Sequence, residues 1–236
     1  VIMSKVAHFG FHSYGGHYPG LENFFQKSGY PAASLWVTEW NAWCKGCDDG
    51  ILGEYNYEFA AKCVTYLLDL IQHGASAGIA WEAYDSYYEH HAPSPFSYWG
   101  MLAYEAKTKT YSPRKNFYAI QQVSKFVPSG AHRIFNSDPG DSLVLVSFYD
   151  SLSRKLTIVG VNQRNRPLNL TISPSGLSPL NQLEMYYTNT SANVRRGDNI
   201  SVKGKSFTAT IPDNSIFTLK KKIEEAGKDF NLYTFI

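Results

Sequence analysis

Leu35-Trp36-Val37-Thr38-Glu39-Trp40 is an apolar strand that closes on a carboxylate set between aromatic residues. A lone Glu where a buried strand gives way to a loop is costly unless something requires it there. The same theme recurs on either side. Upstream, Val6, His8, Gly10, His12 and Tyr14 alternate with Ala7, Phe9, Phe11 and Ser13, which marks a strand apolar on its helix-facing side. Leu21 to Lys27 is a short helical candidate, ended by Gly29-Tyr30-Pro31. Downstream, from about Glu54 to His73, Phe59, Cys63, Tyr66, Leu67, Leu70 and Ile71 recur at helical spacing, and Gly74 is the stop. Ala77 to Tyr84 reads as a further strand, small and apolar, with Trp81 and Glu82 near its end. It opens into a long polar-aromatic loop from Asp85 to about Ser112. Pro113 then stands where a helix begins, carried by Phe117, Ile120 and Phe126. Three strand-then-helix units in succession predict parallel β/α architecture.

After Val127-Pro128-Ser129-Gly130 the period changes from helical to two. Short β-rich runs follow at 131–136, 142–149, 155–162, 167–173, 182–188, 199–202, 206–211 and 215–219, separated by turn residues such as Pro212-Asp213-Asn214. Regular spacing of this kind predicts an antiparallel sandwich. The expected organisation is a β/α domain over 1–128, a sandwich over 129–221 and an unassigned tail over 222–236.

Composition narrows the function classes. With 22 Lys plus Arg against 20 Asp plus Glu, the chain lacks the broad positive field that draws in nucleic acid, so nucleic acid is not an expected partner. No run approaches the roughly 20 apolar residues of a membrane span. Aromatic content is 15%, with 17 Tyr and 5 Trp, rings whose polar edges suit sugar-binding clefts as well as cores. Val1-Ile2-Met3 does not resemble a secretion signal, and the natural start is expected upstream. Cys44-Lys45-Gly46-Cys47 suits a short-loop disulfide or a pair of reduced thiols, and Cys63 reads as a small core residue. No second Cys/His pair stands at zinc-ligand spacing, and His90-His91 beside Glu89 lacks a third ligand, so neither metal nor cofactor is expected. The sequons at Asn169, Asn189 and Asn199 carry little weight in an Asn- and Thr-rich β region.

Three stretches occur in a telling order: Trp36-Val37-Thr38-Glu39-Trp40, then Gly78-Ile79-Ala80-Trp81-Glu82, then Asn116-Phe117-Tyr118-Ala119-Ile120 running through Ser124-Lys125-Phe126-Val127-Pro128-Ser129-Gly130-Ala131-His132-Arg133-Ile134. This order resembles the C-terminal part of retaining clan A glycoside hydrolases, most closely family 30, with families 5 and 39 as further relatives. The resemblance runs over roughly residues 6 to 220. It implies an α/β plus all-β fold: the last three β/α units of a TIM-type barrel, with strands six to eight ending near Tyr14, Glu39 and Trp81, followed by an antiparallel β-sandwich.

Glu39 then matches the family nucleophile. Strand alternation would put Leu35, Val37 and Glu39 on one inward face, with Glu39 at the C-terminal rim. The resemblance further implies that His12 and Tyr14 line the same pocket, that Trp81 is a stacking platform, and that Trp40, Glu82 and Tyr84 contribute substrate contacts. Competing readings are a satisfied core histidine for His12 and a core indole for Trp81. The family's acid/base carboxylate lies on the fourth strand, usually in an Asn-Glu pair, and the chain contains no Asn-Glu dipeptide. The chain alone is therefore expected to be inactive, and to need a missing N-terminal barrel part or a second chain as partner. The implied substrate is a β-linked oligo- or polysaccharide handled outside the cytoplasm. The alternative is a non-catalytic carbohydrate-binding or structural fragment.

Overall fold

In the computed structural model the residues described are 5–14, 27, 29–30, 33–43, 56–85, 99–105, 107–137, 139–140, 142–177 and 180–222. The helical candidate at 21–27 lies largely outside them, as do Cys44, Cys47, His90, His91 and the 223–236 tail. The chain forms two compact units, Val1–Phe117 and Tyr118–Ile236.

The first unit is built on three parallel strands in the order β1-β2-β3: β1 His8–Tyr14, β2 Ser34–Asn41 and β3 Ala75–Ala80. Between β2 and β3 runs helix α1, Asn56–Gln72, whose buried stripe of Phe59, Ala60, Cys63, Val64, Leu67, Leu68 and Leu70 packs on the sheet. Gly74, with φ 99°, stops the chain after this helix in a conformation that glycine adopts without a Cβ penalty. β3 ends at Ala80, earlier than the apolar run suggests, because the chain turns through Trp81–Ala83 into a second, small sheet. That sheet is β4 Tyr84–Asp85, β5 Leu102–Glu105 and β6 Thr110–Pro113. The region read as a loop to Ser112 thus contains a hairpin, hidden in the sequence because its turn is Lys107-Thr108-Lys109 with Lys109 at φ 55°, without the glycine that usually signals such a turn. Pro113 closes β6, and helix α2 begins later, spanning Lys115–Ser124.

Strand phase in β2 differs from simple alternation. Phe9 pairs with Leu35 and Phe11 with Val37, but His12 pairs with Glu39, so Thr38 is an extra residue in the ladder. This bulge resets the faces. Leu35, Val37 and Trp40 lie on the helix-facing side, whereas Trp36, Thr38 and Glu39 share the side of His8, Gly10 and His12. The expectation that Leu35, Val37 and Glu39 share a face is therefore corrected. Thr38 fills the space above Gly10, where a Cβ would stand 2.9 Å from its methyl group, and its hydroxyl donates to the Phe11 carbonyl at 3.2 Å.

The second unit is one antiparallel sheet with strand order β10-β14-β13-β11-β15-β9-β8-β7, with β12 (Arg195–Arg196) pairing with β11. Its strands are β7 His132–Ile134, β8 Leu143–Asp150, β9 Lys155–Asn162, β10 Leu168–Ile172, β11 Gln182–Thr188, β13 Ile200–Lys203, β14 Ser206–Ile211 and β15 Ser215–Lys222. Leu156, Ile158, Phe217 and Leu219 from its middle share one core with Phe207, Ala209 and Ile211 from β14, so the sheet curls back upon itself. The other face of β9 and β15 meets the end of α2. There Thr157 donates to the Phe126 carbonyl at 3.1 Å, Thr218 to the Gln122 side chain at 2.7 Å, and Gln122 to Thr188 at 2.9 Å. Among the described residues no helix is long and apolar enough to cross a membrane.

Candidate active site

The C-terminal ends of the three parallel strands bring together His12 and Tyr14 from β1, Glu39 from β2, and Trp81 with Glu82 just beyond β3. Each Glu39 oxygen has a partner. The Tyr14 phenol donates to Oε1, and His12 Nδ1 lies 2.8 Å from Oε2, the geometry of a ring N–H donating to a carboxylate. The bulge at Thr38 makes this arrangement available, since without it Glu39 would point under α1. Two donors on two oxygens fix the plane of the carboxylate. The Glu39 side chain stays 22% exposed, so one side remains open to an incoming atom. Burial, the hydrogen bond to Glu39, and the charges of Glu39 and Glu82 push the Tyr14 phenol far above its ordinary range. Tyr14 is thereby held as a donor.

Trp81 is 38% exposed, its backbone N–H donating to the Trp40 carbonyl at 2.8 Å. The peptide between Trp81 and Glu82 is cis. Glu82 is half-buried and acts electrostatically on Tyr14, which places it at the same rim. Tyr84 lies farther out, on β4, against Tyr104 and Tyr111.

Trp40 does not belong to this surface. It is 1% exposed, packs edge-on to Tyr66 of α1 and lies against Gly78, so it is a core residue on the opposite face from Glu39. The register reset that frees Glu39 is what buries Trp40.

Asn41 is a site residue that composition and motif did not reveal. It is 4% exposed, and its amide donates to the Trp81 carbonyl and, at 3.4 Å, to that of Trp99. Its oxygen accepts the Ala42 N–H at 2.8 Å and the Cys63 thiol at 3.3 Å. Burial pushes that thiol up to about 12, consistent with a neutral S–H donor. Asn41 therefore ties α1 to the backbone of the Trp81 rim. The one available signal was an Asn directly after a strand-end Glu-Trp, too common a residue in turns to stand out. His8 and Trp36 form a parallel stack on the Glu39 face, with centroids 3.8 Å apart. Among the described residues no group of three or more His, Cys, Asp and Glu side chains is placed to hold a metal ion.

The chain is 32% identical over 104 residues to the glucuronoxylanase XynC of Bacillus subtilis, a stretch covering 44% of this chain and 24% of that protein. Its fold matches a GH30 endoxylanase from Clostridium papyrosolvens with a TM-score of 0.67 at 22% identity, over 93% of this chain and 50% of that one. A glycoside hydrolase family 30 subfamily 8 xylanase from Clostridium acetobutylicum matches with the same score and identity, over 92% and 49%. In sequence and fold the chain resembles the C-terminal part of a family 30 glycoside hydrolase. It spans about half the length of the solved family 30 structures and about a quarter of the curated relative. No family model matches it.

Proposed function

We propose that this chain supplies the nucleophile side of a retaining glycoside hydrolase acting on β-linked polysaccharide outside the cytoplasm. The observation that carries this reading is the Glu39 carboxylate, open on one side and held by Tyr14 and His12 at a strand terminus. In the proposed reaction a Glu39 oxygen attacks the anomeric carbon while the bond to the leaving sugar breaks. Its electron pair passes to the leaving oxygen, which takes a proton from a second carboxylic acid about 5 to 5.5 Å from the first. Water, deprotonated by that same second group, then cleaves the glycosyl ester. Trp81 offers a ring face beneath the sugar, and Glu82 offers an acceptor for its hydroxyls. The proton donor is assigned to polypeptide beyond this chain, as the family pattern places it on an Asn-Glu strand end.

The two carboxylates can be tested separately, because a leaving group as acidic as dinitrophenol needs no proton donor. A dinitrophenyl 2-fluoro-β-xyloside should leave a covalent sugar on the peptide containing Glu39, read by mass spectrometry, and Glu39→Gln should stay unlabelled. Labelling at another residue, equal labelling of Glu39→Gln, or none in the natural sequence would overturn the nucleophile assignment. Hydrolysis of unactivated xylan by the chain alone would overturn the placement of the proton donor elsewhere. In a non-catalytic carbohydrate-binding fragment, sugar binding would persist with no covalent adduct.

A further inference from the structure

The small β4-β5-β6 sheet carries an aromatic face that the reaction at Glu39 does not use. Tyr84 pairs with Leu102, Leu102 with Pro113, and Tyr104 with Tyr111. Paired residues and residues two apart share a face, so Tyr84, Leu102, Tyr104, Tyr111 and Pro113 lie on one side of the sheet. The three rings form a closed cluster, with centroids 5.5 Å apart for Tyr84 and Tyr111, 4.9 Å for Tyr104 and Tyr111, and 6.3 Å for Tyr84 and Tyr104. Two of them remain open to solvent, Tyr84 at 42% and Tyr111 at 53%.

The sheet is fastened to the candidate cleft. Met101 donates its backbone N–H to the Glu82 carbonyl at 3.0 Å, and Leu102 to that of Ala83 at 2.9 Å. The tyrosines are thus continuous with the rim that holds Trp81 and Glu82.

We propose that Tyr84, Tyr104 and Tyr111 form a stacking platform for a β-linked glycan chain, extending the cleft to sugar units distant from the cleaved bond. This rests on the glycoside hydrolase reading of Glu39 for its choice of ligand. The chemistry favours a polysaccharide. Tyr111, tilted by 35° to Tyr104, offers an apolar face for the C–H side of a sugar, and Tyr84, standing at 90° to Tyr111, offers an edge and its phenol for the hydroxyls. A second protein is the poorer occupant on area. Three tyrosine side chains of roughly 150–250 Å² each, two of them about half open, offer a few hundred Å² at most. A stable protein interface needs about 800 Å² from each partner.

The test is affinity electrophoresis of the whole chain in gels containing soluble β-1,4-xylan or soluble mixed-linkage β-glucan, with calorimetry on xylotriose as the short probe. The natural sequence is expected to be retarded by one or both polymers. Tyr111→Leu keeps a strand-compatible apolar side chain but removes the ring, and should weaken polymer retention by about tenfold while leaving xylotriose affinity unchanged. Tyr111→Trp should retain or strengthen it. Lack of retardation by either polymer, or undiminished retention in Tyr111→Leu, would overturn the platform. So would a concentration-dependent dimer, seen by light scattering, that Tyr111→Leu abolishes, because the face would then belong to a second copy. A failed covalent label at Glu39 together with Tyr111-dependent polymer binding would refute the nucleophile and leave the platform standing.

Discussion

Replacing Asn41 by Ala removes a side chain that is 4% exposed and completes four contacts. Two of these add little: the contact to the Trp99 carbonyl is long at 3.4 Å, and the Cys63 thiol at 3.3 Å is a weak donor. The other two satisfy the Trp81 carbonyl and the Ala42 N–H. Leaving a buried polar group unpaired costs about 1–3 kcal/mol, so Asn41→Ala should destabilise the first unit by about 2–4 kcal/mol, nearer the low end if water enters the vacated space. All five tryptophans, at 36, 40, 43, 81 and 99, lie in that unit, so tryptophan fluorescence in urea reports on it alone. With a denaturant slope of about 1–3 kcal/mol per molar, the midpoint should fall by about 1 M or more. Asn41→Asp keeps an acceptor for Ala42 but turns a carboxylate towards the Trp81 carbonyl, and should be no more stable than the alanine variant. A midpoint shift below about 0.3 M for Asn41→Ala would refute the reasoning, because it would mean that neither backbone group depends on the amide.

Three further outcomes are expected. Gly78→Ala places a Cβ 2.9 Å from the Trp40 indole nitrogen and 3.1 Å from a Leu67 methyl, so it should cost about 1–3 kcal/mol in the same fluorescence assay. The Tyr14 phenol has a folded pKa raised above its unfolded value of about 10, so its contribution to stability is complete below that pH and declines as pH climbs towards the folded value. Tyr14→Phe should flatten the alkaline loss of stability and delete a late-titrating phenol from the tyrosinate absorbance curve. In the second unit, the hydrogen bond from Lys220, with the charges of Lys220 and Arg196, holds the Glu184 carboxyl below its ordinary value of 4.5. Its contribution is present above that value and is lost as pH falls through the depressed one, so Glu184→Gln should flatten the acid limb of a stability–pH profile measured by urea unfolding.

Much of the local structure was legible because it depends on near neighbours in the chain. The α1 stripe from Phe59 to Leu70 and the two-residue period after Gly130 each repeat often enough to outvote individual residues. The small β4-β5-β6 sheet was not legible, since its strands are two to four residues long and the turn of its β5–β6 hairpin carries Lys and Thr in place of Gly. The antiparallel runs were visible one by one, but their joining into a single curled sheet was not. That joining depends on pairings such as β15 with both β9 and β11, which no local pattern encodes.

The site divides in the same way. Sequence alone put an acid and its aromatic neighbours at a strand end, because burying a carboxylate there has a cost that calls for a reason. Only the tertiary structure decided where each side chain points. One residue of slippage between β1 and β2, at Thr38, sends Glu39 to His12 and Tyr14 and Trp40 under α1, since a one-residue shift in a strand exchanges its two faces.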